Sequence, residues 1–228
     1  SPTDKFVQGD RIKIFIGEVE EATKFTKTFV SRKSEELLRG LLELEVPEIY
    51  EGIIEIKNIA REAGSRSKVA VYSDDKNLDV KGACIGRNGM RIQTIIDELQ
   101  GEKIDIVLWN EDVKEFVKNA LNPAQVLSVE VVEEGEDNLK VAKVVVAENQ
   151  LSLAIGKKGQ NSRLAARLCG VKIDIHTKSD EVAESDEDEL EEGSAFQDTL
   201  DERENAEKNS DSFEVEESAF AGLGEDKE

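Results

Sequence analysis

Leu153-Ala154-Ile155-Gly156-Lys157-Lys158-Gly159 continues through Arg163, Leu164 and Leu168 to Gly170 and closes on Lys172-Ile173-Asp174-Ile175. The same pattern stands earlier as Ala83-Cys84-Ile85-Gly86-Arg87-Asn88-Gly89. That copy runs through Ile92, Ile96 and Leu99 to Gly101 and closes on Lys103-Ile104-Asp105-Ile106. The glycine pairs are 70 residues apart and the Lys-Ile-Asp-Ile tetrads 69 apart. Two elements that repeat together, with one residue of slippage, mark a duplicated supersecondary unit.

A lone Gly-x-x-Gly carries little weight. With 16 glycines in 228 residues, about one such spacing arises by chance at ordinary glycine usage, and either copy alone reads as a turn between helices. The context is what repeats. In both copies an apolar helical stretch precedes the first glycine, a second helical stretch follows the last, and a period-two strand comes next. Residues without Cβ allow close backbone approach. The free N–H groups at the start of the second helix, with its dipole, favour an anion. Arg87-Asn88 and Lys157-Lys158 between the glycines are polar and mostly cationic, which suits a phosphate chain. This is the arrangement of KH domains, whose Gly-x-x-Gly loop clamps about four nucleotides.

The formal charge of −21 argues against nucleic acid only if it is spread evenly. From Asp180 to Glu228 there are 21 acidic and 3 basic residues, whereas residues 1–179 carry 30 acidic and 27 basic. The acidity belongs to the tail. With few apolar residues among its Asp, Glu and Ser, residues 178–228 read as a disordered acidic tail, either a solvated spacer or a carrier of a partner motif. The two cysteines, Cys84 and Cys169, form no framework and fit a reduced, cytoplasmic setting as buried small hydrophobes. No run of 18 apolar residues occurs, so no membrane span is expected. Ser1 in place of methionine reads as a missing native start.

In chain order, Gly9 to Ile16 alternates like a half-buried strand, and Thr26 to Arg32 forms a second strand across a turn near 22–24. This pair is either an ordinary hairpin or the closing part of an S1-type OB barrel. Ser34 caps a helix with a stripe of Leu37, Leu38, Leu41, Leu42 and Leu44, ended at Val46-Pro47. Strands at 53–59 and 67–73 precede the first glycine turn. In the second unit Asn110 caps a helix that Asn122-Pro123 ends, and strands at 126–132 and 139–147 flank an acidic turn. Both units have the order α-β-β-α-α-β. The predicted fold is α+β: a remnant of a barrel at 1–32, KH-like units at 33–109 and 110–177 packed as one block, and the tail at 178–228.

Longer runs extend the likeness. Glu45-Val46-Pro47-Glu48-Ile49, Arg61-Glu62-Ala63-Gly64-Ser65-Arg66-Ser67-Lys68, Gly101-Glu102-Lys103-Ile104-Asp105-Ile106, Pro123-Ala124-Gln125-Val126 and Gln150 to Gly156 together resemble the NusA family of transcription elongation and termination factors over residues 9–177. That resemblance implies tandem type II KH domains after an S1 barrel. It also implies a monomeric, non-enzymatic regulator that binds nascent single-stranded RNA in the cytoplasm. RNA polymerase and other elongation and antitermination factors would be its partners. The polymerase-docking domain that opens such proteins has no counterpart here.

The RNA would contact Gly86, Arg87, Asn88, Gly89 and Arg91 in the first unit, and Gly156, Lys157, Lys158, Gly159, Arg163 and Arg167 in the second. Arg61, Arg66 and Lys68 either extend this track or lie on a solvated turn. Other readings are a KH/S1 appendage of an RNA-processing enzyme such as polynucleotide phosphorylase, which has one KH domain ahead of its barrel, and a ribosome-associated KH protein, usually strongly basic. The order of units and the charge disfavour both. His176 stands alone at a strand end, and no Walker motif or calcium loop occurs, so neither a metal nor another cofactor is expected. Trp109, at the joint, reads as packing rather than a base-stacking platform.

Overall fold

The structure is a computed structural model that describes residues 1–21, 26–134 and 139–179. The turn expected at 22–24, the tip of the acidic turn at 135–138 and the tail from residue 180 lie outside the described residues. Pairing near the N-terminus begins later than the alternation of Gly9 to Ile16 predicts. Strands β1 (Phe15–Glu21) and β2 (Thr26–Ser31) form a two-stranded antiparallel sheet. Residues 9–14 join no ladder, and Ile12 and Ile14 stay exposed because no second strand among the described residues covers them. Their backbone instead runs beside the first unit, where Lys5 and Lys13 donate N–H groups to the side chains of Gln100 and Glu98. Nearly every residue of the hairpin is exposed.

Ser34 Oγ accepts the N–H of Glu36 and opens helix α1 (Glu35–Glu45). Leu37, Leu38, Leu41 and Leu42 are buried as predicted, each contributing about 1.5–3 kcal/mol through burial. Leu44 is not: it is 69% exposed, on the Leu37/Leu41 edge of the stripe, which opens on a groove with Phe15 and Tyr50. Pro47 starts the short helix α2 (Pro47–Tyr50). Strands β3 (Glu55–Glu62) and β4 (Arg66–Tyr72) pair antiparallel, α3 (Val80–Ile85) and α4 (Met90–Glu98) follow, and β5 (Lys103–Leu108) lies parallel to β4. The second unit repeats this as α5 (Val113–Ala120), β6 (Val126–Glu134), β7 (Leu139–Val146), α6 (Glu148–Ile155), α7 (Gln160–Cys169) and β8 (Lys172–Thr177). Its sheet order, β6-β7-β8, matches β3-β4-β5. Asp112, not Asn110, caps α5, and Asn110 accepts the N–H of Asp112 one step upstream.

Alternation along each strand decides what packs where. In the first sheet Ile59, Val69, Val71 and Ile106 point toward α1 and α4. Their neighbours Ala60, Ala70 and Val107 point the other way, into the core of the second unit with Phe116, Val117, Leu164 and Leu168. Residues Ser1–Lys178 accordingly form one compact unit. Trp109 sits at the joint, edge-on to Tyr72 at 5.3 Å and tilted to Phe116 at 6.5 Å, as packing requires.

Arg61 and Lys68 lie neither on a solvated turn nor on a cationic track. Arg61 is buried and forks onto Glu102 at 2.8 and 2.9 Å. Glu102 also accepts from Ser67 Oγ at 2.6 Å and from the N–H of Gly64 at 2.8 Å. Lys68 is fully buried, donating to Asp105 and to the carbonyl of Asn122. Aligned by strand register, the positions of Arg61, Ser67 and Glu102 are taken in the second unit by Val131, Ala142 and Val171, the last two in its apolar core and Val131 packed against it.

Burial pushes the Glu102 carboxyl up, but its bonds to Arg61, Ser67 and Gly64 more than offset this and hold it below the ordinary glutamate range. A depressed folded value stabilises the protein above the unfolded pKa of about 4.3, and that stability is lost as pH falls through the folded value. Glu102→Gln strands the Arg61 charge and should lower stability at neutral pH by about 3 kcal/mol. Denaturant midpoints measured from pH 7 down to 3 should show the gap between wild type and variant narrowing with acid.

Candidate nucleic-acid interface

The two Gly-x-x-Gly turns are superposable in their dihedral angles. Gly86 has φ 77° and ψ 171°, Gly156 φ 76° and ψ 174°. Asn88 and Lys158 both have φ 55°, in the left-handed region. Each turn delivers the chain into a helix, α4 or α7, whose first residues no side chain caps. The positive helix end faces the turn, where the N–H groups of Met90 and Gln160 donate to the carbonyls of Arg87 and Lys157.

The two glycines of a turn do different work. A Cβ on Gly86 would lie 2.7 Å from Arg91 Cγ, and on Gly156 2.8 Å from Asn161 Cβ and 2.9 Å from its backbone N. The first glycine is therefore a packing requirement of the turn itself. At Gly89 a Cβ would meet nothing within 4 Å, and at Gly159 its nearest neighbour is Ser162 Oγ at 3.9 Å. The second glycine borders open space where another chain can approach.

The structure exposes Arg87, Asn88, Lys157, Lys158, Arg163 and Arg167. It ties down the others. Arg91 is half-buried, clamping Glu48 at 2.9 Å and the carbonyl of Ala83 at 2.7 Å, so it buttresses the first turn from behind. Asn161 does the same job in the second, donating to the carbonyls of Leu121, Leu153 and Ala154. Arg61 and Lys68 are withdrawn into the interior, which removes them from the predicted track. Arg66 stays partly exposed in a fork with Asp105 at 2.7 and 2.9 Å. Burial pushes Asp105 up, while Arg66 and Lys68 together hold it below its usual value.

Beside the first turn runs a groove lined by Ile85, Ile92, Ile104 and Ile106, with Arg66 and Lys81, and reached by Pro123 of the second unit. The resemblance implies a groove between the helix after the turn and the neighbouring strand. Sequence reasoning placed these isoleucines as apolar but missed that they line it and missed Lys81, because only folding brings α3, α4 and β5 together. It also missed Glu62, which accepts from Arg163 at 2.7 Å and from Gln160 at 2.8 Å across the joint. No sequence spacing signals a contact between positions 101 residues apart. Cys84 and Cys169 are pushed up by burial to about 11 and about 12, which leaves them unreactive. Among the described residues no cluster of His, Cys, Asp and Glu could hold a metal, and no helix is long and apolar enough to cross a membrane.

A three-stranded sheet with its helices on one face, a Gly-x-x-Gly turn between the last two helices, and a second copy docked on the first define a tandem KH protein of the type II order. Residues 32–109 match the description of a NusA-like first KH domain, and residues 113–183 that of a NusA-like second KH domain. The chain belongs to the NusA family over this region. It is 52% identical over 179 residues to the transcription termination/antitermination protein NusA of Halalkalibacterium halodurans, which covers 78% of this chain and 46% of that protein. The NusA of Bacillus subtilis gives the same identity over 78% and 47%. That of Thermus thermophilus is 52% identical over 82% of this chain and 46% of its own. The chain thus spans just under half the length of these relatives.

Backbone at φ near +76° and ψ near 174° is essentially reserved for glycine, and forcing another residue there costs about 1–3 kcal/mol. Gly156→Ala, whose Cβ meets backbone, should lose about 2–3 kcal/mol in urea denaturation. Gly86→Ala should lose less, because the clashing Arg91 side chain can swing aside.

Proposed function

We propose that this chain is a single-stranded RNA-binding regulator of transcription elongation, pausing, termination and antitermination, acting on nascent RNA together with RNA polymerase. The observation that carries the reading is the pair of matching turns, each with two exposed polar residues, an open second glycine and a helix start that no side chain caps. The phosphate backbone lies along Gly86 to Gly89 and Gly156 to Gly159. Arg87, Lys157, Lys158, Arg163 and Arg167 supply charge and Asn88 a hydrogen bond, while bases enter the groove along β5. Phosphate contacts position the strand and base contacts specify it.

The names of the related proteins and the two NusA-like KH matches in this chain support the transcriptional setting. The chain works by binding rather than catalysis, as one copy, in the cytoplasm. Residues 1–32 supply part of an S1-type barrel, 33–109 and 110–177 the two KH domains, and 178–228 an acidic tail.

Arg87, Asn88, Lys157 and Lys158 changed together to Asp keep left-handed positions 88 and 158 in a residue that tolerates them. With folding confirmed by circular dichroism, this variant should lose binding to short single-stranded RNA in fluorescence anisotropy. For every phosphate that the variant no longer neutralises, the slope of log affinity against log salt should become shallower by about 0.7. Equal binding by both proteins would place the RNA elsewhere.

A further inference from the structure

The joint between the two units holds one polar arrangement that the packing does not need. Glu62, at the end of β3 in the first unit, receives Arg163 Nε on one carboxylate oxygen at 2.7 Å and Gln160 Nε2 on the other at 2.8 Å. Gln160 Nε2 also reaches Ser65 Oγ at 2.8 Å, and Arg163 Nη1 donates to the carbonyl of Lys158, inside the second Gly-x-x-Gly turn. Gln160 and Arg163 both sit in the opening turns of α7, directly after Gly159. The bond from Arg163 holds the Glu62 carboxyl below its usual range, with burial opposing it and Gln160 assisting. This carboxylate is therefore ionised at neutral pH, an anion held by a guanidinium and an amide.

Docking of the units rests on other contacts. Ala60, Ala70 and Val107 are nearly fully buried among α5 and α7 side chains, and Asn58 donates to the carbonyl of Leu168 at 2.7 Å. The Arg163–Glu62 pair is solvent-exposed by comparison, with side chains 45% and 22% accessible. Exposed pairs contribute little to stability and are easily exchanged. A carboxylate that adds little to docking, yet occupies cationic and amide donors beside a phosphate-binding turn, stands where an RNA phosphate would be received.

The surroundings fit a strand crossing between the units. Ser65, which touches Gln160, is followed by Arg66, which lines the groove of the first unit. A strand leaving that groove near Arg66 arrives next at Gln160 and Arg163. We propose that Arg163 and Gln160 form a phosphate-binding site for the RNA linkage that bridges the two KH units, and that Glu62 occupies these donors in the RNA-free protein and is displaced by RNA. The inference rests on the turns being RNA-binding, and it assigns Glu62 the role of an internal competitor.

The test compares wild type, Glu62→Gln, Arg163→Ala and the double variant, all as the full chain. The probe is a random-sequence pool of single-stranded RNA about twelve nucleotides long, enough to span two turns that each clamp about four. At low salt Glu62→Gln should bind about threefold more tightly than wild type, with an unchanged salt slope, because the same phosphates are neutralised once RNA has displaced Glu62. In the Arg163→Ala background the same change should give no gain. Thermal unfolding of Glu62→Gln should match wild type within a few degrees.

Weaker or unchanged binding by Glu62→Gln, with wild type binding RNA, overturns the inference alone. A gain that survives Arg163→Ala also overturns it, because it would report only the removal of a negative charge. Absence of RNA binding by wild type overturns both this inference and the proposed function.

Discussion

A three-stranded sheet with helices on one side has a second side that must be covered or left polar. In the first unit that side carries Ala60, Ala70 and Val107, and the second unit's α5 and α7 cover it. Two alanines in the middle of the sheet let α7 come close, and this helix begins at the second Gly-x-x-Gly turn. The contact that completes the first unit's core thus also fixes where the second turn lies. The spacing and orientation of the two turns follow from apolar packing rather than from a linker.

Much of this was legible in the sequence. The repeat gave the element order, because glycines at positive φ, apolar periodicity of 3.6 and a closing period-two strand are local signals that tertiary context rarely overrides. The exposed turn residues were legible for the same reason. Arg61 and Lys68 were not. A cation in a polar run reads as exposed, and only folding places Glu102 and Asp105 opposite them. Nor could the N-terminal alternation show that Ile12 and Ile14 would find no partner strand among the described residues, since strand pairing is not a property of one segment. Asn110 and Asp112 are both competent caps, and nothing in the sequence says which of the two starts the helix.

Charge in this protein is sorted by depth. Cations that the interior keeps, Arg61 and Lys68, meet carboxylates or a carbonyl at every donor that matters, as burial demands. Cations that surround the second turn are exposed or loosely held, which leaves them available to a polyanion. The net charge of the whole chain obscures this, because the tail's acidity hides a cationic ridge on a nearly balanced body.

The Arg61–Glu102–Ser67 trio and its counterpart Val131–Val171–Ala142 solve the same packing problem in two incompatible ways. Each set works only when complete, since three strand or loop segments contribute one member apiece. A recombination between the two halves of the gene that moved only the hairpin would set aliphatic side chains against Glu102 and leave that carboxylate buried alone, at about 3–5 kcal/mol. An exchange of that kind carries the cost in full, so the halves do not interchange piece by piece. The duplicated units are thereby distinct in their interiors as well as in the residues of their turns.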